Sequence, residues 1–312
     1  MKTFQTGTLP EGLRLAVSPL SWANDVLEDL GADIPLETCL EEAAAAGYAG
    51  MELGRKMPRS AAELTPLFER RDLALVSGWH SGQLAEGDVE SEMAAVAAHA
   101  ELLRAMGARV MVYGETAMMA PGAPLDLAMS VRKVMPKEAV AGYAARLSEF
   151  ARRLDGEYGL ALAYHHHLMM VAETFDEISA LLDRTAPEVG LLLDTGHAAA
   201  AGFDYTRLID RYGERISHVH LKDVRSAILA EVRARDLSFN DAVRSGLFTV
   251  PGDGMVDFAP LAAFVRDSGY RGWLVVEAEQ DPSVVPPFPA VTAAFQHVTR
   301  IFGAEPEVRT PS

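Results

Sequence analysis

Eight short, almost unbroken apolar runs, each separated from the next by a longer stretch with helical spacing, constrain this chain more than any other feature. They are LRLAVSPL (13–20), GYAGMEL (47–53), LALVSGW (73–79), ARVMVYG (108–114), LALAYHH (160–166), VGLLLD (189–194), ISHVHLKD (216–223) and GWLVVEAE (272–279). Continuous rather than alternating apolar character is what a parallel sheet covered on both faces requires. Between the runs lie helix patterns such as PLETCLEEAAAAGY, VESEMAAVAAHAELLRAMG and YAARLSEFARRLDGEYG. Several of them stop at a glycine just before the next run (Gly47, Gly107, Gly159, Gly269), the residue that accepts the left-handed backbone of a helix C-cap. Eight strand–helix units suit a closed (β/α)8 barrel, a TIM barrel. A doubly wound open sheet is the runner-up, weakened because no Gly-rich dinucleotide fingerprint follows any strand.

The length, 312 residues, suits one such barrel with insertions. The expected division is one catalytic domain over 1–303 and a frayed tail over 304–312. Two connections are long, residues 115–140 and 224–258, and in a barrel both emerge at the catalytic face. The net charge of -16 repels phosphate backbones and anionic lipid surfaces, so nucleic acid and membranes are not expected partners. No segment approaches the roughly 20 apolar residues that span a bilayer. The single cysteine, Cys39, cannot make an internal disulfide and reads as a small buried hydrophobe, and the start of the chain shows no secretory pattern. A cytoplasmic protein is the expectation.

Polar residues fall at the strand ends, which in a barrel lie at the mouth. The fifth run closes on Tyr164, His165, His166 and His167; the sixth on Asp194, with His197 three residues on; the seventh carries His218, His220, Lys222 and Asp223; the eighth ends in Glu277 and Glu279. Taken singly, each has an ordinary structural explanation. Asp194 could cap a helix, and Glu277 and Glu279 could pair with lysines. Four consecutive strands ending in imidazole or carboxylate point instead to a shared ligand, because burying such groups without partners is costly. The best metal set is His165, Asp194, His220 and Glu277, one from each strand, with His167 competing for the fifth-strand place. Two carboxylates and two neutral imidazoles suit manganese, cobalt, iron or zinc better than calcium.

The first four strands supply a different set: Trp22, Asn24, Glu52, Lys56, Trp79, His80, Tyr113 and Glu115. These read as a wall of hydrogen-bonding groups and flat apolar faces for a small polyhydroxylated ligand. Packing aromatics and a Glu52–Lys56 ion pair are the plainer alternatives.

The strings Asp-Thr-Gly-His at 194–197, His-x-His-x-Lys-Asp at 218–223, Pro-Gly-Asp-Gly at 251–254 and Val-Val-Glu at 275–277 resemble the xylose-isomerase-like superfamily of metal-dependent sugar isomerases and epimerases. More narrowly, SPLSWAND (18–25), ELGRKMP (52–58), LVSGWHSGQL (75–84), MVYGET (111–116), AYHHH (163–167) and VVEAEQDP (275–282) resemble the myo-inosose-2 dehydratase family of inositol catabolism, from about residue 13 to 282. The resemblance implies dehydration of a small polyhydroxylated cyclic ketone, 2-keto-myo-inositol, to a trihydroxycyclohexane-1,2-dione, with manganese or cobalt as the metal and glutathione as an additive, for which no site is recognisable. Superfamily isomerases place a glutamate where this chain has His165, so one carboxylate of their acid–base pair is missing, which favours elimination over symmetric epimerisation. Glu277 or His197 is then the expected base, with Lys222 or His167 assisting the leaving hydroxyl.

The rival within enzymes is a metal-dependent ketose or inosose isomerase or epimerase, told apart by whether the product loses water. A DNA-repair endonuclease would need a basic phosphate-binding surface, and a non-enzymatic sugar-binding barrel would not need converging ligands. Pairing of barrels through outer helices into a homo-oligomer is compatible with the sequence, but no helix singles out such a face.

Overall fold

A computed structural model describes residues 9–303. The tail expected over 304–312 lies outside the described residues. Eight strands close a parallel barrel: β1 (Leu13–Val17), β2 (Gly50–Leu53), β3 (Ala74–Gly82), β4 (Val110–Glu115), β5 (Ala161–His165), β6 (Val189–Asp194), β7 (Ile216–Leu221) and, after a two-stranded hairpin of β8 (Asp223–Val224) and β9 (Phe248–Thr249), β10 (Gly272–Val276). Each barrel strand pairs parallel with its neighbours, and β1 closes the ring against β10. All eight fall inside the apolar runs or overrun them by a few residues, so the barrel is the fold that the periodicity predicts and the open sheet is set aside.

Outer helices follow the strands. Gly47, Gly107, Gly159 and Gly269 all take positive φ where the chain leaves a helix. The helix over Lys137–Tyr158 begins six residues before its expected pattern, and the sequence reading did not name three further helices that the structure contains: Ser226–Arg235, Phe239–Arg244 and Pro287–Phe302. The last supplies the closing helix of the barrel. Cys39 is buried in the helix Leu36–Ala46, its Sγ pointing at the carbonyl of Pro35, and burial pushes its thiol up to about 11. Among the described residues no helix is long and apolar enough to cross a membrane.

The apolar layer between sheet and helices forms one large core, while two small groups fill the barrel itself: Ala16, Val76 and Val275 on one side, Val112, Ala163 and Leu192 on the other. Side chains alternate along a strand, so the residue two positions further on faces the same way. Counting two from Ala163, Leu192 and Val275 gives His165, Asp194 and Glu277. From Gly50 the same step gives Glu52, and from His218 it gives His220. The barrel therefore carries a polar layer directly above its apolar plug, at the C-terminal ends of the strands.

Candidate metal and active site

The polar layer floors a cavity of about 620 Å³ lined by Asn24, Glu52, Trp79, His165, His167, His220, Glu277 and Glu279, among others. Its roof comes from the two long connections, through Ala123–Asp126 on one side and Phe239–Arg244 on the other. The two are tied together: Asn240 donates to Asp126, Met129 N–H to the carbonyl of Leu237, and Ser130 N–H to Asp236. Ser238 caps the short helix by accepting from the N–H of Asp241, which fixes Phe239 and Asn240 over the floor.

His165 Nε2 lies 3.2 Å from Asp194 Oδ2, and His220 Nδ1 lies 3.6 Å from the same oxygen and 3.2 Å from Glu277 Oε2. All four residues are buried. Asp194 divides its work: Oδ1 accepts from the N–H of His197 and caps the helix Thr195–Ala201, while Oδ2 faces the imidazoles. Capping, weighed against metal ligation from the sequence, thus occupies one oxygen of the carboxylate and leaves the other free to face a ligand.

Glu52 sits beneath. Its Oε1 is 2.5 Å from Ser77 Oγ and 3.1 Å from Nε2 of both His218 and His220. Burial alone would raise the Glu52 carboxyl, but His220 and His218 outweigh it and hold it well below the usual range. With Nε2–H given to Glu52, loss of the other ring proton would leave the His220 lone pair on Nδ1, a buried nitrogen with no hydrogen-bond partner although two carboxylates stand within reach. A carboxylate that orients an imidazole whose other nitrogen is left open toward converging oxygens is the arrangement of a metal-ligating histidine. The donor set of two nitrogens and two oxygens fits a divalent transition-metal ion.

His165 and His167 face the cavity and His166 faces away, accepting from the N–H of Asp194. His167 Nδ1 lies 2.6 Å from the carbonyl of Leu168, so Nδ1 carries the proton and Nε2 the lone pair. The turn that follows is tight: Met169 takes φ 70, held by its N–H to Glu173, and His167 N–H donates to the carbonyl of Ala172. Burial, with help from His165 and Lys222, holds the His167 imidazole well below its ordinary value and therefore neutral.

Several expected site residues are elsewhere, and the physical reasons are specific. Trp22 is fully buried with its indole N–H on Glu42, 2.5 Å away. Lys56 spends its ammonium on the carbonyls of Gly31, Ala32 and Ile34 and makes no ion pair with Glu52. His80 packs outside the barrel against Phe150, its Nε2 2.6 Å from Glu92. Tyr113 and Glu115 point into the layer beneath the helices, where the Glu115 carboxylate takes the Tyr113 hydroxyl and the N–H groups of Ala85 and Ala117. Of the eight wall residues, Asn24, Glu52 and Trp79 line the cavity. Two expected catalytic groups, Lys222 and His197, are buried below the floor rather than on its surface. Lys222 Nζ is 2.6 Å from Glu277 Oε1, 3.0 Å from Glu279 Oε1 and 3.1 Å from His197 Nε2. The sequence reading missed Asp126, Met170, Phe239, Asn240, Asp241 and Arg244 of the lining. The capping pattern Ser238-x-x-Asp241 was the available signal for that stretch.

Residues 40–301 match the family described as xylose isomerase-like TIM barrel. The chain belongs to that family. Its relatives within it include the rhizopine catabolism protein MocC of Rhizobium meliloti, 44% identical over 292 residues that span 94% of this chain and 89% of the relative. The inosose dehydratase of Geobacillus thermodenitrificans is 37% identical over 295 residues, 93% of this chain and 98% of the relative. Among solved structures of the family's fold, the IOLI protein with a bound zinc atom superposes with a TM-score of 0.67 at 15% identity, covering 93% of this chain and 98% of that one. The membership anticipated from the motifs is thereby established.

Proposed function

We propose that this chain is an inosose dehydratase, a hydro-lyase that removes water from 2-keto-myo-inositol to give a trihydroxycyclohexane-1,2-dione. The observation that carries the reading is an asymmetry. One neutral base, His167, stands on the cavity wall beside a donor set whose carboxylates are already committed, where a symmetric epimerase needs an acid and a base on opposite faces. Near-full-length similarity to proteins named inosose dehydratase supports it.

His165, Asp194, His220 and Glu277 would hold the divalent ion, with manganese or cobalt placed first. When bound there, such an ion supplies Lewis acidity toward the ketone and a neighbouring hydroxyl oxygen. Glu277 is a poor base, since Oε2 faces His220 and Oε1 is clamped by Lys222; in the metal-free protein, against the burial that would raise it, His220 and Lys222 bring its carboxyl down to about 2. His167 Nε2 takes the α-proton. In 2-keto-myo-inositol the five remaining hydroxyls are all equatorial, so the α-hydrogen and the adjacent β-hydroxyl share one face of the ring. The same imidazolium then returns its proton to that hydroxyl as the C–O bond breaks, water leaves, and His167 is neutral again; the enol left behind becomes the dione when its hydroxyl proton is lost and the former β-carbon gains one. Asn24, Glu52 and Trp79 take the substrate-facing roles. The lining is rich in carboxylates, and Arg244, its one arginine among the described residues, is already paired with Asp29 at 2.7 and 2.8 Å, which suits an uncharged polyol better than a phosphorylated sugar. Glutathione has no role in this scheme. A cytoplasmic location fits the unpaired, buried Cys39.

Mass analysis of the product tests the reading. Protein loaded with manganese or cobalt and given 2-keto-myo-inositol should yield a compound lighter by one water; an isomer of unchanged mass would replace the dehydratase with an epimerase.

A further inference from the structure

Lys222 is fully buried, and four consecutive residues are shaped around it. Asp194 Oδ2 lies 3.9 Å from its Nζ. Thr195 Oγ1 donates to the Lys222 carbonyl at 2.7 Å and accepts from its N–H at 3.1 Å, which pins the backbone. Gly196 leaves the room that the lysine stem occupies: a Cβ there would stand 2.4 Å from Lys222 Cγ. His197 presents Nε2 to the ammonium at 3.1 Å. Glu277 and Glu279 complete the ring of partners, and the Phe248 face lies 4.6 Å away. The Asp-Thr-Gly-His string is therefore a cradle for one cationic side chain.

The donors around that ammonium are the ones a metal would choose. His167, His197 and Glu279 bring ligand atoms within 4.8 Å of one another, and Asp194, His197 and Glu277 do the same. Both groups share His197, which lies outside the set assigned to the first ion, and Lys222 contacts His197 together with the carboxylates of both groups. Glu277 turns one oxygen to His220 and the other to Lys222, the posture of a carboxylate bridging two cations.

We propose that Lys222 is the second, permanent cation of this centre: it fills a latent second metal position made by His197, Glu279, Glu277 and His167, and so keeps the site mononuclear. Lys222 is then a positioning residue. It holds Glu277 and Glu279 in place without entering the reaction. The inference rests on His165, Asp194, His220 and Glu277 being the donors to the first ion.

Cobalt(II) titration of the stripped full-length protein tests it, read by metal content after desalting and by visible absorption. The wild type should saturate at one equivalent, and Lys222→Ala and Lys222→Gln at two, with a second absorption envelope. Lys222→Arg, which keeps the charge, should stay at one. Adding His197→Ala to Lys222→Ala should return the count to one. A wild type that takes two equivalents, or neutral variants that stay at one, overturns this inference alone; a wild type that binds none overturns the first site as well. Should neither neutral variant fold without metal, recovery of folded protein in cobalt supports the proposal and failure to recover it overturns it.

Discussion

His220 has both ring nitrogens committed, one to Glu52 and the other toward Asp194 and Glu277, and much of the site depends on that. Glu52→Gln keeps the shape but weakens the orienting bond, so metal affinity should fall roughly 10–100-fold, measured by competition with a chelator. The same pair fixes a pH dependence. Burial would lower the His220 imidazole, but the charges of Glu277 and Glu52 raise it well above its ordinary value, so in the metal-free protein it is protonated near neutrality. A proton must leave before Nδ1 can act as a ligand. Metal uptake should therefore release protons, and affinity should rise with pH across the neutral range; calorimetry in buffers of different ionisation enthalpy reads both. His167→Ala removes the proposed base and leaves the proposed metal donors, and should lower kcat about 10²–10⁴-fold while bound metal is retained.

Residue phase along the strands decided which expectations the structure kept. Val112 faces the barrel interior, so Tyr113 and Glu115 must face the helices, and their phase was readable from the sequence alone. Trp22 and Lys56 lie beyond their strands, where alternation no longer predicts direction and local hydrogen bonds decide.

Among the elements, the strands were legible because each had to bury both faces, and the convergence of His165, Asp194, His220 and Glu277 was legible because polar residues two steps above an apolar plug share one layer. The connection over 224–258 was not. It was expected at the catalytic face, and there it lies, but the helix Ser226–Arg235 has weak apolar periodicity and the helix Phe239–Arg244 is only six residues long, so caps and tethers hold the stretch instead. Asp223 shows how: its carboxylate accepts the N–H groups of Val224, Gly252, Gly254 and Val256, which ties the Pro-Gly-Asp-Gly turn to the end of β7. Ser238 does the same for the helix Phe239–Arg244. Ser238→Ala should cost about 1 kcal/mol of stability, seen as a lower denaturation midpoint, and should raise KM more than it lowers kcat because Phe239 and Asn240 lose their fixed place over the cavity.

At the scale of the whole molecule, the barrel brings the proposed ligands from β5, β6, β7 and the end of β10 to one point, a convergence that no single helix or hairpin could supply. That point is the proposed reaction centre. The most direct test titrates manganese into stripped wild-type protein while dione formation and bound metal are followed in the same sample. Turnover should be absent at the start, rise in step with the first equivalent of metal and level off there. Dione formation without metal, or turnover that does not follow the occupancy of that first equivalent, would contradict it.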